Sequence, residues 1–342
     1  MTSRSLLVIN YRSAALTADA IRSARTASSE PLQAVVVDNS CDPAEAEKLR
    51  GVADALVVSE TNRGYAGGIN LGRRSCNGDL LIVSNPDVVF APNAIDELAA
   101  QDAAVAGPAF FWDDAHRWLL PPADLHNGRD KADEVLASRS EHWRARRDRR
   151  RFFERVAFWE LARPARVRAL SGAVMAIRTK DFDDAGGFDE RFALYFEETD
   201  FLRRIAQLRR PIVYVPAAKC RHLYNQSAGQ VASDAATRYA ESERRYLEKW
   251  NGPFVARALK RLERAIVSAE PAGGVLELPR TDGVVVEASP LVNFDTAAGH
   301  FPRGRTIALP PEVRGSFRGA ALYLRAVDRA TGEVLATVRA VK

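Results

Sequence analysis

The chain reads as an α/β fold built on a parallel sheet and followed by a small β-rich domain, and three observations point there. Short apolar runs alternate with helical patterns from Ser5 to Ser84. They lack polar alternation, which is the pattern of strands covered on both faces. Two of the runs end in a carboxylate, Asp38 and Asp87. Composition then shifts at Pro271-Ala272-Gly273-Gly274, beyond which short apolar runs are cut by Gly, Pro and Asp. At 342 residues the chain has room for a main domain of about 250 residues plus an appendage. The expected division is 1–232, a helical segment over 233–271, and a β-rich unit over 272–342.

Taken in order, Ser5 to Asn10 predicts a buried first strand and Ala14 to Ala27 a helix. Ala34 to Val37 is a second strand, Pro43 to Arg50 a helix, Leu56 to Val58 a third strand and Gly67 to Cys76 a helix. Leu80 to Ser84 is a fourth strand and runs into Asn85-Pro86-Asp87. In a parallel sheet ligands bind beyond the carboxyl ends of strands, so Asp87 is placed to hold a hard cation. The competing reading is a simple turn, since Asn, Pro and Asp are all turn formers. Between Asn62 and Gly72 lies a loop rich in small residues that enters a helix. It suits either close approach to an anion or tight helix–strand packing. Its glycines are spaced wrongly for a dinucleotide fingerprint.

From Val105 to Arg168 the pattern loosens, and His116 and His126 read as solvated residues. Arg139, Arg144, Arg146, Arg147, Arg149, Arg150 and Arg151 form a basic run beside Trp143, Phe152, Phe153, Phe158 and Trp159. A solvated helix face is the default reading, and a membrane-surface or anionic-acceptor contact is the alternative. No nucleic-acid-binding module accompanies the patch, so nucleic acid is not an expected partner.

Regularity returns at Leu170-Ser171-Gly172-Ala173, read as the start of a strand whose Gly172 allows close approach. Gly186-Gly187-Phe188-Asp189 is a turn. Apolar Phe192 to Phe196 then meets Glu197, Glu198 and Asp200 on the first turn of a helix. A helix dipole favours acids there, and burial beside apolar residues is also how a general base has its pKa raised. Pro211 to Pro216 is a further strand, and His222 is expected just after it as a candidate metal ligand. Helices follow at Ser242 to Trp250 and Phe254 to Val267, and Ala321 to Val327 with Val334 to Val341 reads as a hairpin.

The overall composition is that of an ordinary globular chain, with 46% hydrophobic and 27% charged residues and a net charge of +5. Cys41, Cys76 and Cys220 fit neither a disulfide framework nor a zinc site, which suggests a reducing cytoplasm. No leader peptide or membrane span is legible in the sequence.

As an ordered series, Asn10-Tyr11, Val37-Asp38-Asn39-Ser40, Asn62 to Gly72, Asn85-Pro86-Asp87, Leu170 to Ala173, Gly186 to Glu190, Tyr195 to Asp200 and His222 resemble the family 2 inverting glycosyltransferases, most closely the rhamnosyltransferase-like branch. The resemblance implies a GT-A fold, that is, a Rossmann-like mixed central sheet with helices on both faces. It implies a nucleotide-diphosphate sugar donor, with dTDP-rhamnose suggested by the branch, and a glycan or lipid-linked acceptor. Asn10, Tyr11, Asp38, Asn39, Asn62, Gly64, Tyr65, Gly68, Asn70 and Asn85 would bind the nucleotide, with Asp38 accepting a hydrogen bond from the base. Asp87 and His222 would hold Mg2+ or Mn2+, while Gly172 and Tyr195 would border sugar and acceptor. Glu198 would act as base, with Glu197 beside it and Asp200 as the alternative.

Two positions depart from the family's pattern. Asn85 replaces the first acid of the metal motif, leaving one fewer anionic ligand. Glu198 stands where the family has Asp, which extends the carboxylate by about 1.5 Å. A sugar-phosphate nucleotidyltransferase would need a glycine-rich basic loop after the first strand, and Asn10-Tyr11-Arg12-Ser13 is not one. A sugar-binding protein with a degenerate site is the non-enzymatic alternative. Peripheral membrane contact at the cytoplasmic face and a homodimer remain open as partners.

Overall fold

The computed structural model describes residues 2–192, 194–222, 232–265, 270–317 and 321–340. The first strands and helices are β1 (Arg4–Asn10), α1 (Ala14–Thr26), β2 (Leu32–Asp38), α2 (Pro43–Leu49), β3 (Ala55–Val58), α3 (Gly64–Arg73) and β4 (Leu80–Ser84). These follow the sequence pattern closely. β5 (Val88–Phe90), α4 (Ala94–Ala99) and β6 (Val105–Phe111) come next, then α5 (Gly128–Arg139), α6 (Glu141–Trp159) and β7 (Ala165–Arg166). β8 (Val174–Arg178), α7 (Thr179–Asp184), α8 (Glu197–Gln207), β9 (Ile212–His222), α9 (Ala232–Asn251) and α10 (Pro253–Leu262) complete the first unit.

The nine-stranded sheet has the order β3-β2-β1-β4-β8-β6-β9-β5, with β7 on β9. β3, β2, β1 and β4 run parallel side by side, β8 enters antiparallel to β4 and to β6, and β6 and β9 are parallel again. The sheet is therefore mixed. From β1 the chain builds outward through β2 to β3, then returns to place β4 on the other side of β1. That reversal opens a crevice beyond the carboxyl ends of β1 and β4, the usual place for a ligand in an open α/β sheet.

Successive residues of β1 feed opposite faces. Leu6 and Val8 pack with Ile21 and Ala24 of α1, whereas Leu7 and Ile9 pack with Ile69 of α3 and Phe201, Leu202 and Ile205 of α8. Close approach of α3 depends on Gly72, where a Cβ would come within 2.4 Å of Leu7 and 2.7 Å of Val37. Tight packing is thus part of what the small residues of this helix do.

β6 is the strand that the sequence pattern misses, since Gly107 and Pro108 interrupt its apolar run. The structure absorbs the proline with a shift in register, from Pro108 opposite Val215 to Ala109 opposite Lys219. Proline lacks the N–H that a regular ladder requires, so a bulge is where it fits. His222 is the last residue of β9 rather than lying after it.

The C-terminal unit contains β10 (Gly273–Gly274), β11 (Leu276–Glu277), β12 (Val284–Ser289), β13 (Ala298–His300), β14 (Thr306–Ile307), α11 (Pro311–Ser316), β15 (Tyr323–Asp328) and β16 (Val334–Ala340). Five of its strands form one sheet, and β15 with β16 is the expected hairpin. Its core includes Trp112 and Trp118 from the chain beyond β6. Leu119 exchanges backbone hydrogen bonds with Gly299 at 2.8 and 2.7 Å, so the two units share a seam.

The basic run ends α5 at Arg139 and continues along α6, where Arg146 and Arg149 stay exposed, as a solvated face requires, and three other arginines meet acids. Arg147 meets Asp133 and Asp295, Arg150 meets Asp133, and Arg151 meets Asp124. At the seam Arg155 and Arg325 each lie 2.6 Å from Glu287, which is fully buried. Among these paired arginines Arg147, Arg151 and Arg155 are mostly withdrawn from solvent, so they form an internal ion-pair network, not a solvated or membrane-facing surface. Replacing Glu287 by Ala strands two guanidinium groups, and the expected cost is about 3–5 kcal/mol in urea denaturation. A loss under about 1 kcal/mol would contradict the assignment of this triad as a structural pin.

Candidate active site

The carboxyl ends of β1 and β2 form one wall. Asn10 is fully buried and its amide donates to Asp38 at 2.9 Å and Ser40 at 3.2 Å, while its oxygen accepts from Ser13 and Thr17. Its side chain is used within the protein and fixes Asp38. One Asp38 oxygen also takes the Ser40 hydroxyl and N–H, while its Oδ2 is buried with no protein partner. A buried acceptor without a donor is costly unless a ligand supplies one. Asn39 shows the same arrangement, donating to the Gly64 carbonyl at 2.8 Å while its own oxygen has no donor.

Gly64 opens α3 in a left-handed conformation with φ +70°, and its N–H donates to Asn62. Gly68 lies against Asn39 and Ile9. Tyr11 stacks under Arg12. Asn70 is not free to line a pocket. It donates to the Phe188 carbonyl and Glu190 and accepts from the Phe188 N–H, so it brackets the turn ahead of α8. The Asn85 N–H donates to the Ala173 carbonyl at 2.8 Å and ties the end of β4 to β8.

Asp87 follows β4 and immediately precedes β5, where Val88 pairs with His222. This register sets His222 Nε2 3.4 Å from Asp87 Oδ1, although the two are far apart in sequence. Asp87 is 4% exposed. One hard oxygen ligand and one imidazole converge, which suits Mg2+ or Mn2+ whose other positions are filled by water and substrate phosphate. Among the described residues no cluster of three or more ligating side chains exists, so the protein offers a partial shell. Asn85 in place of an acid agrees with that count.

The acids arrive on α8. Tyr195 and Phe196 both have φ +68°, two consecutive non-glycine residues in the left-handed region just before Glu197. Such strain persists where surrounding structure holds it, and here Phe196 packs with Tyr246 and His126. Glu197 is buried and Glu198 half-buried. A Cβ on Gly172 would sit 3.1 Å from Glu198, so this glycine makes room for the carboxylate. Tyr65 donates to the Gly172 carbonyl at 3.2 Å.

Electrostatics bind these parts into one site. Burial, then Glu197, Glu198 and Asp87 in turn, push the Tyr65 hydroxyl well above its ordinary pKa, so all three carboxylates lie within reach of one phenol. Burial and then Glu198 push Glu197 well up. Burial also raises Glu198, against backbone N–H groups and His126. Each has an Oε2 buried without a donor. His126, read from sequence as solvated, is therefore part of the site. Its segment carries no periodic signal that would have revealed this.

Asp200, the alternative base, is committed elsewhere. It is fully buried and accepts from Arg204 at 2.9 Å, Trp250 at 2.9 Å and Lys249 at 2.6 Å. With both oxygens engaged it anchors α8 to α9, whereas Glu197 and Glu198 each keep a buried oxygen without a donor.

A raised carboxyl pKa means that the fold holds the proton more tightly than the unfolded chain does. This stability is present in acid and lost as pH climbs through the raised values. Glu197→Gln cannot ionise, so its melting temperature should gain on wild type between about pH 5 and about pH 8. Melting curves that stay parallel across that range would refute the burial of an ionisable pair.

The family model described as glycosyl transferase family 2 matches residues 5–170. The N-acetylglucosaminyl-diphospho-decaprenol L-rhamnosyltransferase of Mycobacterium tuberculosis (strain CDC 1551 / Oshkosh) is 27% identical over 226 residues, covering 60% of this chain and 70% of that protein. The same enzyme from strain ATCC 25618 / H37Rv gives the same figures. Among solved structures, GalNAc-T7 with UDP, GalNAc and Mn2+ has a TM-score of 0.45 at 15% identity. It is matched over 65% of this chain, which spans 44% of the GalNAc-T7 chain. The mannosyltransferase PcManGT of Pyrobaculum calidifontis, with GDP-Man and Mn2+, has a TM-score of 0.44 at 15% identity over 78% of this chain and 76% of its own. Over residues 5–170, which carry the β1, β2 and β4 ends of the crevice just described, the chain is thus similar to glycosyl transferase family 2.

Proposed function

We propose that the protein transfers a sugar from a nucleoside-diphosphate donor to a hydroxyl of a glycan or lipid-linked glycan, with inversion at the anomeric carbon. The observation that carries this reading is geometric: Gly172 accepts from Tyr65 at 3.2 Å and leaves room for Glu198, while Asp87 sits 3.4 Å from His222. An acid placed to hold a cation and a pair of glutamates beyond the ends of one sheet suit group transfer from a diphosphate. The buried Asp38 Oδ2 would accept from the nucleobase, in line with its lack of a protein donor.

In this reading Glu198 takes the proton from the acceptor hydroxyl as its oxygen bonds to the anomeric carbon. The bond from that carbon to the diphosphate breaks, and its electron pair leaves with the diphosphate. Asp87 and His222 would hold Mg2+ or Mn2+, which neutralises charge on the leaving group. A pKa raised by burial keeps Glu198 a stronger base than an ordinary carboxylate. Rhamnose as the sugar and a lipid-linked acceptor take their support from the name of the Mycobacterium L-rhamnosyltransferase, and dTDP-rhamnose is the donor this reading proposes.

No helix among the described residues is long and apolar enough to cross a membrane. Exposed Phe254, Val255 and Leu262 on α10, interleaved with Arg257, Lys260 and Arg261, would serve peripheral contact with the surface that carries such an acceptor.

Thermal stabilisation by UDP, dTDP and GDP, each with and without Mn2+, tests the donor reading. One nucleoside diphosphate should stabilise the protein further with metal, and Asp87→Ala should remove only the metal-dependent part. An Asp87→Ala protein that keeps that part would refute the cation assignment. Glu198→Gln should lower kcat by about 10²–10⁴ with little change in donor KM. Near wild-type turnover would move the base elsewhere.

A further inference from the structure

A second charged cleft, of about 680 Å³, lies away from the acids. It is lined by Arg129 from the start of α5, Arg166 and Arg168 around β7, and Arg203, Arg209 and Arg210 from α8 and its C-terminal end. No Asp or Glu is among the lining residues. Arg210 is paired with Asp181, and Arg203 stacks on Trp250 at 4.3 Å. Arg129, Arg166, Arg168 and Arg209 have no carboxylate within ion-pair distance among the described residues.

The contrast with α6 decides how to read this. There Arg147, Arg150, Arg151 and Arg155 are met by Asp295, Asp133, Asp124 and Glu287, and the exposed Arg146 and Arg149 are spread along a convex helix face. Here four unpaired guanidinium groups converge from separate segments of the chain on one concavity. Gathering like charges in a cleft is unfavourable unless an anion fills it, because a concave low-dielectric wall concentrates their potential. Guanidinium forks also match phosphate oxygens in pairs. Arg209 is held at φ +58°, a conformation that any non-glycine residue adopts at some cost. Nearby Asn251 lines the same cleft with its Oδ1 buried and lacking a donor.

This cleft is not the donor crevice. Ile212, at the start of β9, borders it, whereas His222 ends that strand at the acids. Along a strand that separation is roughly 30 Å. Along α8 the distance from Glu197 to Gln207 is about 15 Å.

We propose that this cleft is a second ligand site, taking an anion with two or more phosphoryl groups. The volume exceeds what one phosphate fills, and Leu125, Val167 and Ile212 add an apolar wall for an organic part. A free polyphosphorylated molecule and a phospholipid headgroup share this chemistry.

Sodium tripolyphosphate is the probe, titrated calorimetrically into the full chain with a chelator present to suppress the cation-dependent donor site. Saturable binding is expected, weakened at least about tenfold in the triple variant Arg129→Gln, Arg166→Gln, Arg168→Gln. Glu198→Gln should bind as wild type does. Arg209→Gly relieves the left-handed strain while removing one charge, so it should weaken binding in a protein at least as stable. Cardiolipin vesicles, whose headgroup carries two phosphates, form the second arm. Sedimentation with them that tripolyphosphate competes away and the triple variant loses would assign the phosphate to a headgroup. Tripolyphosphate binding without it would assign a soluble ligand, and either result supports the site. No saturable binding of either probe, or binding unchanged in both arginine variants, overturns it.

Discussion

Asp200 is the buried charge on which the arrangement of the catalytic crevice depends. Its two oxygens bind Arg204 on its own helix and Lys249 and Trp250 on α9. An anion withdrawn from water in this way is stable only while its partners stay in place, so α8 and α9 are fixed relative to each other. That constraint has consequences at both ends of α8. At its first turn Glu197 and Glu198 are held in an apolar setting, with two left-handed residues ahead of them. Beyond its last turn Arg209 is held, also left-handed, in the arginine cleft. One short helix thus carries the acids at one end and borders a basic concavity at the other.

The same division between matched and unmatched charge organises the rest of the molecule. On the inward side of α6 positive groups are spent on carboxylates, and the buried triad of Arg155, Glu287 and Arg325 pins the C-terminal sheet to the first unit. At the crevice the unmatched groups are acceptors, namely Asp38 Oδ2, Asn39 Oδ1 and an oxygen on each of Glu197 and Glu198. Proteins rarely leave so many buried polar atoms without partners in one region. Their concentration marks where a substrate supplies the missing donors.

Much of this was legible in the sequence because it rests on local pattern. The strands from Ser5 to Ser84 are continuous apolar runs, and periodicity finds them. Asp87, His222 and Glu198 could be singled out by their positions at element ends. What could not be read depends on tertiary neighbours. β6 was hidden because Pro108 needs a bulge that only its partner strand reveals. The role of Asp200 as an anchor was hidden because Lys249 and Trp250 lie on a distant helix. The basic run reads as a solvated face, which Arg146 and Arg149 keep, but the inward side of the helix was hidden because the acid that meets Arg147 comes from residues as far away as Asp295. His126 had no signal at all, since a lone histidine in an irregular segment gains meaning only from the carboxylate beside it.

His126 also joins parts of the molecule that otherwise look independent. The stretch that delivers it begins at Trp112, Trp118 and Leu119, which are sewn into the C-terminal sheet by packing and by the paired hydrogen bonds to Gly299. The placing of His126 against Phe196, just ahead of the two glutamates, is thereby tied to a β-rich unit that holds neither of them. A disturbance of that appendage would travel along this stretch of backbone to the crevice.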